Sequence, residues 1–144
     1  MPTPDARPRA LIGWRLVALA YDFFPVLALW FAIAGAFTFV HGDSIRGGWQ
    51  GLLEFAVLWL AAGLYAVLSW RRGGQTLGMR PWRLQVVAAD GMPARAPALW
   101  LRYTVGAVSL VLGGLGFWWA WVDGAGLTWH DRASKTRMQR RDPR

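Results

Sequence analysis

The feature that most constrains this chain is an apolar run from residue 16 to residue 40, in which Asp22 is the single formal charge. As a helix rising roughly 1.5 Å per residue, this run would be about 37 Å long, whereas the hydrocarbon core of a bilayer is about 30 Å thick. A carboxylate inside that core costs roughly 2.5–3.5 kcal/mol to insert, so Asp22 needs a compensating partner or a use. The run therefore predicts an integral membrane protein with a charge inside its first span.

Two more apolar regions, at about residues 52–70 and 98–123, follow the first one. Residues 1–13 contain three Pro and two Arg and predict a disordered tail. Residues 14–144 predict one transmembrane domain. We expect an all-α membrane fold that begins with a two-helix hairpin and continues through a polar inner loop, a third apolar region and a basic C-terminal tail.

Glycines interrupt the third region at Gly113, Gly114 and Gly116. Each lowers helix stability by up to ~1 kcal/mol, so a break is expected there. The region is then either a helical hairpin that re-enters the membrane or a single span. Alternating residues at 82–87 and 135–140 predict two short strands that could pair as a small cytoplasmic sheet.

The placement of the basic residues predicts the orientation. Fifteen of the sixteen Lys and Arg residues lie before or just inside the first span, between the second and third regions, just inside the start of the third, or after it, and Arg46 is the exception. This is the positive-inside pattern, and it places both termini in the cytoplasm if the third region re-enters. Three full crossings, with an external C-terminus, remain the alternative.

The net charge of +8 raises the question of nucleic acid, but its distribution instead fits anionic lipid headgroups. The chain has no Cys, and its two His are far apart in sequence, so we expect no metal site. No nucleotide-binding loop, nucleophile elbow or paired-carboxylate motif is present. We therefore expect no nucleic-acid partner, no cofactor and no enzymatic activity.

The first candidate site surrounds Asp22. Arg15 and Asp22 share one face of the first helix, and Arg15 could tune or neutralise the carboxylate. Pro25 lacks an N–H and so frees the carbonyl of Tyr21, which would make an oxygen-rich point suited to a proton or a hard cation. The alternative is structural, with Asp22 paired to a basic group on another helix and Pro25 only shaping the first.

The second candidate site follows the third region, at His130 and Asp131. With a cytoplasmic C-terminus, Asp131 could meet Arg15 or Arg102 near the inner interface. The alternative is an ordinary ion pair in an interfacial loop. So few helices cannot easily bury a polar face within one chain. We therefore also expect a homo-oligomer or a membrane partner subunit.

At these positions the chain resembles the RDD family of small bacterial membrane proteins, named for one arginine and two aspartates. Three separated segments carry the resemblance, together with a strand-like segment and its turn. They are Trp14–Asp22, Gly74–Arg80, Arg83–Val87 with Asp90 and Gly91, and Trp129–Thr136.

The resemblance implies that Arg15, Asp22 and Asp131 are the signature residues. It also implies a bacterial inner-membrane location and a transport role, with sodium/proton antiport suggested for some members. The rival hypothesis is a scaffold or assembly factor whose Arg and Asp residues only pack helices together.

Overall fold

The computed structural model describes residues 11–42 and 48–141, which contain five helices and two strands. In chain order these are α1 (Ile12–His41), α2 (Gly48–Gly73), β1 (Leu84–Ala88), α3 (Ala96–Val111), α4 (Leu115–Val122), α5 (Trp129–Ser134) and β2 (Thr136–Arg140). The predictions for the tail at 1–10, for Arg46 and for the end of the basic tail at 142–144 lie outside the described residues. Helix α1 begins at Ile12, inside the stretch predicted to be tail.

The two long helices form the antiparallel pair that the sequence predicts. Asp22 meets Tyr65, and Trp30 donates from Nε1 to the carbonyl of Leu58 at 2.9 Å. Residues later in α1 therefore contact residues earlier in α2, as in an antiparallel pair. Both helices are long and apolar enough to cross a membrane, with mean hydropathy of 2.1 and 1.9 in their most apolar windows. Pro25 is accommodated inside α1, which continues through it.

The third apolar region breaks where the glycines predict. Helices α3 and α4 meet at an angle of 98°, across a connection that contains Gly113 and Gly114 at φ of +71° and +80°. Only glycine adopts that backbone at little cost. The bend is held by Ser109, whose carbonyl accepts from Gly114 N at 2.7 Å and whose hydroxyl accepts from Gly116 N at 2.8 Å. Helix α4 has eight residues, about 12 Å, which is too short to cross a bilayer alone.

The two predicted strands pair with each other, slightly shifted from their predicted ends. Strands β1 and β2 are antiparallel, with Leu84 opposite Arg140 and Val86 opposite Met138. Leu84, Val86 and Val87 are buried, so the sheet contributes to the core. Segments some fifty residues apart are thereby joined on one side of the molecule.

The core lies where the start of α1, the end of α2, the sheet and α3 converge. Its buried members are Leu11, Ala18, Val67, Met79, Leu84, Val86, Ala94 and Leu99. By contrast, the part of α1 beyond Asp22 is largely uncovered, with Phe24 69%, Phe31 70% and Phe39 89% exposed. Aromatic exposure of that size is typical of a surface that faces lipid or another chain.

Helices α2 and α3 cross closely at Gly63, which gives a test of this packing. A Cβ there would lie 2.4 Å from Cζ3 of Trp100 and 2.7 Å from Cε1 of Tyr103, whereas a Cβ at Gly35 would meet nothing within 4 Å. We expect Gly63→Leu to lower the free energy of unfolding by about 1–3 kcal/mol through overpacking. Gly35→Leu, the matched control, should leave it unchanged or raise it. Thermal unfolding in detergent measures both, and equal melting temperatures would contradict the crossing.

Candidate functional site

Helix α5 is built to hold Asp131 at its first turn. Thr128 caps the helix and accepts from Asp131 N at 3.3 Å, while Oδ2 of Asp131 accepts from Thr128 N at 3.2 Å. This reciprocal arrangement is a capping box, which satisfies N–H groups that a helix start leaves unpaired. The local sequence therefore orients the carboxylate without help from another helix.

Two arginines from other helices converge on Asp131. Arg15 of α1 donates from Nη1 to Oδ2 at 2.6 Å, and Arg102 of α3 donates from Nη1 to Oδ1 at 2.5 Å. Arg102 also donates to Oγ1 of Thr136, the first residue of β2, at 2.7 Å. The structure thus shows Asp131 meeting both of the arginines that the sequence proposed as alternatives. We call Arg15, Arg102 and Asp131 the inner cluster.

The inner cluster is almost completely dry. The side chains of Arg15 and Arg102 are 2% exposed and that of Asp131 is 0% exposed. Burial by itself would raise the pKa of Asp131, but the positive charges of Arg102 and Arg15 outweigh it and hold that pKa well below its usual range. Among the residues that the structure describes, Nε and Nη2 of Arg15 have no hydrogen-bond partner. The cluster carries two positive charges and one negative charge. Loss of its single carboxylate would therefore leave both buried guanidinium groups without a counter-charge.

His130, the other residue proposed for this site, packs as a neutral ring. Its centroid lies 4.8 Å from that of Phe117, and its buried Nδ1 has no hydrogen-bond partner within residues 11–42 and 48–141. Burial, reinforced by the nearby charge of Arg102, lowers the pKa of His130 to about 3. The imidazole therefore contributes packing at neutral pH and cannot share a proton readily with Asp131.

Asp22 lies in a different environment, between α1 and the loop that follows α2. Its Oδ1 accepts from the hydroxyl of Tyr65 at 2.8 Å and from Gly78 N at 2.9 Å, and its Oδ2 accepts from the hydroxyl of Thr76. Tyr65 in turn accepts from Leu77 N at 3.2 Å. We call Asp22, Tyr65, Thr76 and Gly78 the hydroxyl cluster. All its donors are electrically neutral.

The loop fits tightly against α1 at this point. A Cβ on Gly78 would lie 2.2 Å from the carbonyl oxygen of Ala18 and 2.8 Å from the N of Asp22. Only a residue without a side chain allows the loop N–H groups to approach the carboxylate so closely. Gly78 thus allows the loop to pack against α1 and to place its own N–H at the carboxylate of Asp22.

The prediction that Arg15 neutralises Asp22 is corrected by this geometry. The two residues share a helix face, but the guanidinium of Arg15 extends to Asp131, and no ion pair to Asp22 occurs within residues 11–42 and 48–141. Nor does Arg15 extend toward an aqueous interface, since it is 2% exposed. A second carboxylate, brought in by α5, competes successfully for the arginine because it is deeply buried and already oriented.

Tyr21 and Pro25 are placed beside the hydroxyl cluster without joining it through their side chains. Tyr21 is 54% exposed, and its ring meets the edge of Trp82 at a centroid distance of 6.0 Å. The side chains of Tyr65 and Thr76 place two oxygen atoms at Asp22, and the oxygen-rich point expected at the Tyr21 carbonyl stays a prediction.

Sequence reasoning proposed both arginines that bind Asp131, but it missed the residue that caps α5 beside it and the groups that bind Asp22. Thr128 could have been found, because a threonine three residues before an acidic residue is a helix-start signal. Tyr65 and Thr76 carried no such signal, since their contacts with Asp22 bridge 43 and 54 residues of chain.

The family model of the RDD family matches residues 9–135, a range that contains Arg15, Asp22 and Asp131. No curated protein and no solved structure matches the chain.

The inner cluster predicts a large effect of a small change. Asp131→Asn leaves two buried guanidinium groups without a counter-charge and should cost about 3–5 kcal/mol in the free energy of unfolding. Asp90→Asn is the matched control, because Asp90 is exposed and only accepts from Met92 N in its turn. Chromatography in detergent and thermal unfolding should show loss of folded protein for the first variant alone. Wild-type stability in Asp131→Asn would refute the ion cluster as a stabilising element.

Acid should destabilise the fold through His130. Its pKa is lowered from 6.5 to about 3, so between these values the unfolded chain binds a proton that the folded chain does not. The free energy of unfolding should therefore fall as the pH falls, by on the order of 2 kcal/mol from pH 7 to pH 5. His130→Phe removes the titration but keeps the ring contact with Phe117, so its melting temperature should depend less on pH over this range. His41→Gln, outside the cluster, should retain the wild-type slope.

Proposed function

The chain belongs to the RDD family, and from that premise we propose that it is a multi-pass membrane protein that couples a cation or a proton to transport at Asp22. The observation that carries this proposal is the environment of that carboxylate. Asp22 is half-buried and is held by two hydroxyl groups and one N–H, with no basic side chain paired to it in the described part of the chain.

Such a carboxylate is free to exchange its partners for a cation. Carboxylate and hydroxyl oxygens are the ligands that hard cations prefer. The hydroxyl groups of Tyr65 and Thr76 can rotate their hydrogens away and offer lone pairs to an ion that binds Asp22. Alternatively, a proton on Asp22 would weaken the bonds from Thr76 and Gly78. In either case the charge state of one carboxylate acts on the loop between α2 and β1.

The proposed orientation puts this site at the cytoplasmic edge of the membrane. From Phe23 to the end of α1 at His41 there remain 19 residues, or about 28 Å of helix, which is close to the thickness of the hydrocarbon core. Asp22 contacts the loop that follows α2, at the helix end that carries Arg71 and Arg72. The positive-inside rule assigns that end to the cytoplasm, together with the sheet and α5.

A homo-oligomer is part of the proposal. Within residues 11–42 and 48–141, two helices are long enough to span, or three spans are present if the bent pair is one of them. The outer part of α1 packs against α2 on one side and is largely uncovered on the other, so a second copy packed there could complete a polar path that a single chain does not enclose. The bacterial inner membrane, suggested by family membership, is the proposed location.

The scaffold hypothesis remains as a second candidate because of the inner cluster. Asp131 is saturated by two arginines and is dry, so a cation could reach it only by breaking buried ion pairs. This geometry favours a structural role for Asp131 and Arg15 whatever Asp22 does. The two hypotheses differ in what they require of Asp22 alone.

Asp22→Asn separates them. With its amide oxygen in the place of Oδ1, the asparagine can still accept from the Tyr65 hydroxyl and from Gly78 N. Its amide N–H, in the place of Oδ2, can donate to the Thr76 hydroxyl, so the fold should persist while the charge is lost. We expect cation-induced dissipation of a pH gradient, measured in everted vesicles that lack endogenous antiporters, to fall to background. Glu54→Gln is the control, because Glu54 lies near the opposite end of α2, away from the hydroxyl cluster.

All vesicles must contain matched amounts of protein. Activity that survives in Asp22→Asn would overturn the proposed coupling role. Loss of the protein from the membrane in that variant, with normal amounts of Glu54→Gln, would favour the scaffold.

A further inference from the structure

A cavity of about 450 Å³ opens beside the last turns of α2, on the side of the molecule that carries the sheet. It is separate from the inner cluster. Six of the residues that line it are polar or aromatic: Tyr65, Ser69, Arg72, Gln75, Arg80 and Arg141. Its volume falls within the range typical of sites for small molecules.

Three arginines from three different elements line this cavity. Arg72 lies in the last turn of α2, Arg80 in the loop before β1, and Arg141 immediately after β2. Within residues 11–42 and 48–141, the ion pairs involve Arg15, Arg102 and Arg132, and none involves an arginine of the cavity. Three like charges thus converge on one space with no counter-charge from these segments.

We propose that this cavity binds a phosphate group. Guanidinium groups present paired N–H donors that match phosphate oxygens, and three of them around one space can share the charge of a single anion. Ser69 adds a hydroxyl that can donate, whereas the side-chain N–H of Gln75 is already committed to the carbonyl of Leu84 at 2.6 Å. An anion there would supply a counter-charge to the three arginines that line the cavity.

The position of the cavity is compatible with two sources of the phosphate group. It lies at the end of a helix long enough to span, where phospholipid headgroups would be found, and it also opens to the aqueous side. An anionic phospholipid headgroup and a soluble phosphate share the chemistry that the arginines recognise. The affinity of the site for each source can be measured separately.

The cavity also contacts the hydroxyl cluster. Tyr65 lines the cavity, and its hydroxyl donates to Asp22 at 2.8 Å. A bound phosphate would therefore be one side chain away from that carboxylate. The binding proposal does not depend on transport, because it rests on the arginines and the space between them.

The test compares Arg72→Gln with Arg71→Gln in the purified full-length protein. Arg71 is the matched control, since it is exposed, lies in the same helical turn, carries the same charge and does not line the cavity. Native mass spectrometry from detergent counts bound dioctanoyl phosphatidylglycerol, with dioctanoyl phosphatidylcholine as the lipid of zero net charge. A parallel titration at constant ionic strength follows the melting temperature with inorganic phosphate against chloride.

We expect phosphatidylglycerol to bind in preference to phosphatidylcholine, and Arg72→Gln to weaken it about tenfold, the loss typical of one charged hydrogen bond. Arg71→Gln should bind like the wild type. If inorganic phosphate alone stabilises the protein, with the same dependence on Arg72, the site is for a soluble phosphate and the proposal stands.

Binding of neither probe, or equal weakening by both substitutions, would overturn the proposal. Arg80→Gln gives a second, independent variant, because Arg80 is also exposed and is not part of the core. It should weaken binding as Arg72→Gln does. Unchanged affinity in both cavity variants would likewise contradict the site.

Discussion

The buried pairing of Asp131 with Arg15 and Arg102 is the interaction on which the rest of the structure depends. It ties the first helix, the third helix and the short C-terminal helix together at a single carboxylate. Burying such charges is costly, and the cost is offset only while all three partners are in place. The sharp bend between α3 and α4, made by Gly113 and Gly114, precedes the segment that brings α5 back against α3 and α1.

The two aspartates of the signature have opposite surroundings, although both meet α1. Asp131 is enclosed by positive charge and excluded from water, whereas Asp22 is half-buried and bound only by neutral donors. Charged hydrogen bonds in a dry site resist exchange, and hydroxyl groups around an accessible carboxylate permit it. Stability therefore rests on Asp131 and its arginines, and the proposed response to an ion rests on Asp22.

The polar features of the molecule gather at one end. The inner cluster, the hydroxyl cluster and the arginine cavity all adjoin the start of α1 or the end of α2, while the remainder of α1 exposes phenylalanines along its length. Concentrating charge at one end leaves an apolar part that is long enough to cross a bilayer. The same division leaves much of α1 beyond Asp22 uncovered by the rest of the described chain, and this is the physical reason for proposing a second copy beside it.

The sequence by itself determined the helical membrane class, the two-helix hairpin, the break at Gly113 and Gly114, and the pairing of the two strands. Each was expected from a local pattern in the sequence: an apolar run of sufficient length, glycines that interrupt an apolar run, or alternation over six residues. It also narrowed the partners of Asp131 to Arg15 and Arg102. Only the tertiary structure decided that Asp131 takes both arginines and that Asp22 is held by Tyr65, Thr76 and Gly78. The reason is that the partner of a side chain depends on which distant segments of the chain lie close to it and how deeply they are buried. Helical periodicity specifies the face on which a residue lies, but it does not specify which segment packs against that face.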